Sequence, residues 1–206
     1  SNTDGTITSQ VSANVDAGFS IVKYTATGSE SIGHGLSQQP EMIIQKRTDV
    51  TSEWATYTAT TGLQKYLQLQ SSAVVTNDAN FMTAVGASTF TSQWSSNSHD
   101  YINYCFHSVS GYSKVGSYNG TGVTGNVQYL GFEPSFVMIK STGVESWYMM
   151  DNKRLNGVYS DQLYANLSNA EGTGQHVDFT SNGFQLDTTD GGVNNGSASY
   201  IFIAIA

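Results

Sequence analysis

Pro40-Glu41-Met42-Ile43-Ile44-Gln45-Lys46 and Pro134-Ser135-Phe136-Val137-Met138-Ile139-Lys140 decide the reading of this chain. Each is a short apolar run opened by a proline and closed by a lysine, and no other proline occurs in the sequence. Such runs suit strands buried on both faces. Proline has no N–H to give a sheet, so it is tolerated where a strand begins. The offset from Pro40 to Pro134 is 94 residues, and it recurs from Tyr24 to Tyr118, Gly28 to Gly122 and Lys46 to Lys140. Downstream, Trp54 aligns with Trp147 once one residue is deleted, and Tyr101–Phe106 aligns with Tyr200–Ile205. The pattern predicts one strand module used twice. A residue present in both copies then serves the fold, and a residue present in one copy is the better functional candidate.

The other segments extend this reading. Phe19–Tyr24, Trp54–Thr60 and Lys65–Gln70 are short and rich in β-formers. Val177–Thr180 and Phe184–Asp187 alternate across Ser181-Asn182-Gly183, a strong hairpin signal. Tyr200–Ala206 forms a last apolar strand, and Thr6–Ser12 suits an edge strand. Gly28 and Gly122 follow strands and predict turns with positive φ. No long stretch shows helical apolar spacing. The sum is roughly fourteen short strands with turn signals at the spacing of sandwiches and jelly rolls. The expected fold is all-β, an antiparallel β-sandwich or jelly roll. Its parts are an N-terminal edge segment over 1–14, repeat 1 over 15–110 and repeat 2 over 111–206. The repeats either pack as two sandwiches or share strands in one pseudo-twofold body.

Composition narrows the function. Only 12% of the 206 residues are charged, while 12% are aromatic, which is not a disordered profile. The net charge is −8. Nucleic-acid binding needs clustered Lys and Arg, so it is not expected. Docking on anionic membranes is disfavoured for the same reason. No apolar run approaches the ~20 residues of a membrane-spanning helix. Cys105 is the single cysteine, lies in an apolar run and reads as a buried, inert thiol.

The motifs Gly18–Val22, Gly33-His34-Gly35-Leu36 before Pro40, Met42–Ile44, Lys46 and Trp54 resemble those of a repeat family in tail-associated and fibre-like proteins of marine bacteriophages. So do Gly111–Tyr118 with Asn119-Gly120-Thr121-Gly122, and Gly131–Pro134 leading into Val137–Lys140. Together these motifs cover most of the chain. The resemblance implies a virion-surface, extracellular setting, lectin-like sandwiches, other virion proteins as partners and a homo-oligomer, commonly a trimer. It carries no catalytic residues. Val127-Gln128-Tyr129-Leu130 replaces Gly33-His34-Gly35-Leu36 in the second copy, so His34 is not a requirement of the module.

Catalytic patterns are weak. Glu53 and Glu145 are equivalent carboxylates but lie in separate copies, whereas glycoside hydrolysis needs two carboxyl groups facing one bond. They read as strand-edge residues. No Gly-x-Ser-x-Gly elbow and no zinc-type histidine spacing occurs. Cys105 and His107 form no dyad, because the second copy has Ala204 and Ala206 there. Asp187, Asp190 and Asn194 form an oxygen-rich loop and a weak calcium candidate. No cofactor is implied.

Binding fits better. Trp54 and Trp147 recur and read as structural anchors, but Trp94 has no counterpart. It lies in the polar stretch Thr91–Asp100, and the second copy has the Asp187–Ser197 loop instead. Divergent loops on a rigid sandwich commonly carry recognition. The expected ligand-binding residues are therefore Trp94, Asn97 and His99, with Asp187, Asp190 and Asn194. The function expected is non-enzymatic recognition of a host-surface glycan by a phage tail-fibre module. The alternative is a purely structural virion or capsid-decoration protein that works by self-assembly.

Overall fold

Short β-branched and aromatic segments between Gly- and Asn-rich turns fold as strands along the whole chain. The computed structural model describes residues 1–206 except 95–97 and 158. It is 50% strand and 2% helix, an all-β antiparallel fold of sandwich type. The chain divides into two compact units, Ser1–Gln68 with Val75–Ser108 and Leu69–Val74 with Val109–Ala206. The segment Leu69–Val74 thus belongs with the second unit, where the Ser72 carbonyl accepts from the Glu145 N–H at 3.0 Å. Among the described residues no helix is long and apolar enough to cross a membrane.

The first unit contains β1 (Gln10–Asn14), β2 (Phe19–Ala26), β3 (Glu30–Gly33), β4 (Met42–Arg47) and β5 (Trp54–Thr58). It continues with β6 (Lys65–Gln68), β7 (Thr76–Asn77), β8 (Ala84–Val85), β9 (Thr89–Ser92) and β10 (His99–Phe106). A seven-stranded sheet runs β1-β2-β10-β4-β5-β6-β7, and a smaller sheet runs β3-β9-β8. Side chains of both sheets meet in one core, including Val22, Tyr24, Ile43, Tyr57 and Tyr66 from the large sheet and Ile32 and Phe90 from the small one. Cys105 is fully buried there, and burial pushes its thiol up to about 12, so the nucleophilic thiolate is scarce at neutral pH.

The second unit contains β11 (Ser113–Asn119), β12 (Asn126–Tyr129), β13 (Phe136–Ser141), β14 (Trp147–Asp151) and β15 (Leu155–Asn156). After these come β16 (Tyr159–Tyr164), β17 (Gly172–Thr180), β18 (Gly183–Leu186), the one-turn helix α1 (Gly191–Asn194) and β19 (Ser199–Ile205). One hydrogen-bonded path runs β11-β19-β13-β14-β16-β17-β18-β12. The β16–β17 pairing shifts register between Ser160 and Gln162, a bulge that bends the ladder. The two halves of the path then share a core of Val137, Ile139, Tyr148 and Phe202 with Val177, Phe184 and Leu186.

Pairing in the two units runs in parallel terms. Tyr24 faces Tyr101 and Tyr118 faces Tyr200 across their strands. The first pair stacks at 5.5 Å and 15°, the second at 4.9 Å and 13°. Lys46 faces Trp54 and Lys140 faces Trp147. Pro40 and Pro134 each stand shortly before their buried strand. Gly28 and Gly122 have positive φ, 153° and 69°. β17 and β18 close as a hairpin in which Thr180 faces Gly183, with Ser181 and Asn182 between them.

Candidate functional site

Residues directly opposite one another in an antiparallel sheet share a face. In the first unit this places Val22, Asn103, Gln45 and Ala55 in one row across β2, β10, β4 and β5, with Val22 and Ala55 in the core. The row stands two residues along from the Tyr24–Tyr101 stack. Asn103 is fully buried and Gln45 is 2% exposed. Both amides, nitrogen and oxygen alike, make no hydrogen bond to the protein. The buried Tyr24 hydroxyl lies near the Asn103 amide without a bond of good geometry, and burial holds its pKa well above the usual phenol range. A buried polar group left unpaired costs about 1–3 kcal/mol. Four such amide atoms stand in one row.

Gln45 lines a cavity of about 240 Å³ together with Arg47, Ser52, Glu53, Trp94 and Tyr101. This is somewhat smaller than pockets for drug-sized ligands, roughly 300–1,000 Å³, and on the scale of one sugar unit. The aromatic wall is fixed before any ligand arrives. The Trp94 ring lies 4.8 Å from both Tyr66 and Phe81. Its Nε1–H donates to Asp78 Oδ2 at 2.6 Å. Its carbonyl accepts from the Tyr101 hydroxyl at 3.1 Å. Tyr101 in turn stacks on Tyr24.

The charged wall is fixed as well. Arg47 Nε donates to Asp49 Oδ1 at 2.8 Å, and the other Asp49 oxygen lies 2.7 Å from His99 Nδ1. Arg47 Nη2 lies against both ring nitrogens of His99, 2.5 Å from Nδ1 and 2.8 Å from Nε2. Arg47, and after it His99, holds the Asp49 carboxyl down to about 2. The guanidinium is thereby neutralised at the mouth of the cavity. Ser52 is held by Lys46 Nζ, which donates to its carbonyl at 2.8 Å and to its hydroxyl at 2.9 Å.

The structure therefore brings Trp94 onto the cavity wall and His99 behind Arg47. Asn97 lies outside the described residues. Asp187, Asp190 and Asn194 belong to the second unit and knit its loops together. Asp187 Oδ1 accepts from the Gly125 N–H at 3.0 Å and from Gln185 Nε2 at 2.8 Å. Asp190 caps α1, accepting from the Gly192 N–H at 2.7 Å. The buried Asn194 amide donates to the Val123 and Thr188 carbonyls and accepts from the Thr121 N–H and from Asn126. Among the described residues no group of three or more His, Cys, Asp and Glu side chains is placed to hold a metal ion.

In the second unit the matching row is Gly116, Phe202, Ile139 and Tyr148. It is closed and apolar. A Cβ on Gly116 would sit 2.6 Å from the Phe202 ring, so only glycine lets that ring lie flat on the sheet. Val193 of α1 enters the core, and the Tyr118 and Tyr200 hydroxyls donate to the Val193 and Gly191 carbonyls, both at 2.7 Å.

Sequence reasoning missed Gln45, Asn103, Arg47 and Tyr101 as site residues. A signal for two of them existed, because Gln45 aligns with Ile139 and Asn103 with Phe202. One family model, Domain of unknown function (DUF7483), matches residues 1–206. The chain belongs to that family. No curated protein and no solved structure matches it. For this member of DUF7483, the functional reading therefore rests on the cavity itself.

Proposed function

We propose that this chain is a non-enzymatic recognition module that holds one unit of a host-surface glycan in the Trp94 cavity of its first unit. We further read the two units as copies of one module, of which the first carries the site. The observation that carries the proposal is Gln45, which lines the cavity and whose buried amide has neither its donor nor its acceptor used by the protein. Sugars offer hydroxyls that act as both donor and acceptor, together with C–H faces that rest on aromatic rings such as Trp94 and Tyr101. The locked indole and the Asp49-neutralised Arg47 lower the ordering cost of binding. Glu53 is the one carboxylate among the described lining residues, which favours binding over two-carboxylate hydrolysis.

The setting proposed is a phage appendage on the virion surface, on the strength of the motif resemblance. There a homotrimer in contact with other virion proteins would convert weak single sites into avid attachment. The test is saturable binding of the labelled chain to candidate host cells, wild type beside Trp94→Ala. Binding lost in the folded variant supports the proposal. Binding unchanged in the variant moves the site, and no binding to cells or envelope polysaccharide ends the glycan reading.

A further inference from the structure

A second cavity lies at the other end of β10, away from Trp94. It measures about 390 Å³ and is lined by Gln38, Gln39, Glu41, Ala59, His107 and Ser108. His107 is 4% exposed and is held by its backbone N–H, which donates to the Gly18 carbonyl at 2.9 Å. Its Nδ1 lies 2.9 Å from the Ser108 carbonyl. A carbonyl only accepts, so Nδ1 carries a proton, and in the neutral imidazole Nε2 carries a lone pair. That Nε2 is buried and makes no hydrogen bond to the protein.

Glu41 stands beside it, equally fixed. Its N–H donates to the Phe106 carbonyl and its carbonyl accepts from the Ala59 N–H, both at 2.7 Å. Its carboxylate oxygen Oε2 accepts from the Ser108 N–H at 2.6 Å and from the Ser108 hydroxyl. The described lining thus brings together the Glu41 carboxylate, the His107 imidazole and two carboxamides, with no Lys or Arg among them. A phosphate or carboxylate would meet repulsion from Glu41 and a second acceptor at His107. A neutral hydroxyl brings one donor and no charge. An ammonium group brings a positive charge and three donors, which matches acceptors that are already in place. The aligned residues of the second copy, Ser135 for Glu41 and Ala206 for His107, supply neither group.

We propose that this cavity is a second, independent binding site, selective for a primary ammonium group of an amino sugar or another small amine. The inference does not rest on the Trp94 reading. The test is NMR titration of the full chain with glucosamine, glucose and n-butylamine, read at the His107 imidazole and the Glu41 and Ser108 amides. Saturable shifts with glucosamine, and at least tenfold weaker ones with glucose, are expected. Butylamine binding as well would mark an amine site of broad scope, and its failure beside glucosamine would mark an amino-sugar site. Glu41→Gln keeps an acceptor for Ser108 but removes the charge, and should weaken glucosamine at least tenfold, while Trp94→Ala should leave it unchanged. His107→Leu, with folding checked by circular dichroism, should do the same as Glu41→Gln. Glucose binding as well as glucosamine, no shift with either amine, or full affinity in both folded site variants overturns the proposal.

Discussion

The row Val22–Asn103–Gln45–Ala55 of the first unit and the row Gly116–Phe202–Ile139–Tyr148 of the second stand at matching places, each two residues from a stacked tyrosine pair. They solve opposite problems. The second row fills its core with a ring laid on a glycine and leaves no amide to satisfy. The first keeps two buried amides unpaired and a cavity beside them. A buried polar group left unpaired calls for an explanation. On the proposal above, the site lies in the unit that is less well closed.

The comparison can be broken most forcefully in the second unit. Phe202→Asn imports the polar residue of the first row into a closed core, removing a ring and burying an amide together. A loss of about 4 kcal/mol is expected in denaturant unfolding. A loss under about 1 kcal/mol would mean that the ring does not close that core. Next in size is Trp94→Ala. The indole is half-buried against Tyr66 and Phe81, so about 2–3 kcal/mol should be lost, along with glycan binding. Smaller, and of opposite sign, is Gln45→Leu. It removes an unpaired amide without a large change in volume, so stability should hold or rise by about 1 kcal/mol. A marked destabilisation would show that the amide is structurally satisfied in solution.

The smallest effect sharpens the contrast at His34, whose aligned residue is Gln128. His34 Nδ1 accepts from the Leu36 N–H at 3.2 Å and Nε2 donates to the Gly86 carbonyl at 3.2 Å, so the ring is neutral. Burial, the largest cause, lowers its pKa below the ordinary value of 6.5. The unfolded chain therefore takes up a proton first as pH falls, and stability present above about 6.5 is lost below it. His34→Gln should flatten that part of the pH–stability curve. An unchanged slope would assign the acid sensitivity elsewhere.

Much of the fold is legible in the chain because strand burial leaves a strong local mark. Met42–Arg47 and Phe136–Ser141 show it as apolar runs, and the Thr180–Gly183 hairpin as a turn between alternating strands. Two-residue strands such as Thr76–Asn77, Ala84–Val85 and Leu155–Asn156 are too short to show a period, so nineteen strands appear among the described residues where roughly fourteen are expected. Trp94 stands out because the 94-residue correspondence gives it no matching tryptophan. Gln45 and Asn103 do not, because a polar residue inside an apolar strand gives no sign of which face it takes until its neighbours are known. Arg47 and Tyr101 read as ordinary strand residues for the same reason. Asp187, Asp190 and Asn194 look like ligands in sequence because loop-knitting and ion-binding use the same oxygen-rich side chains.

The most direct measurement is calorimetric titration of purified host polysaccharide into wild type and Gln45→Leu. The account predicts saturable binding to the wild type and its loss in a Gln45→Leu chain that is folded and at least as stable. Equal affinity for both chains would contradict it, because the buried amide would then be facing no ligand at all.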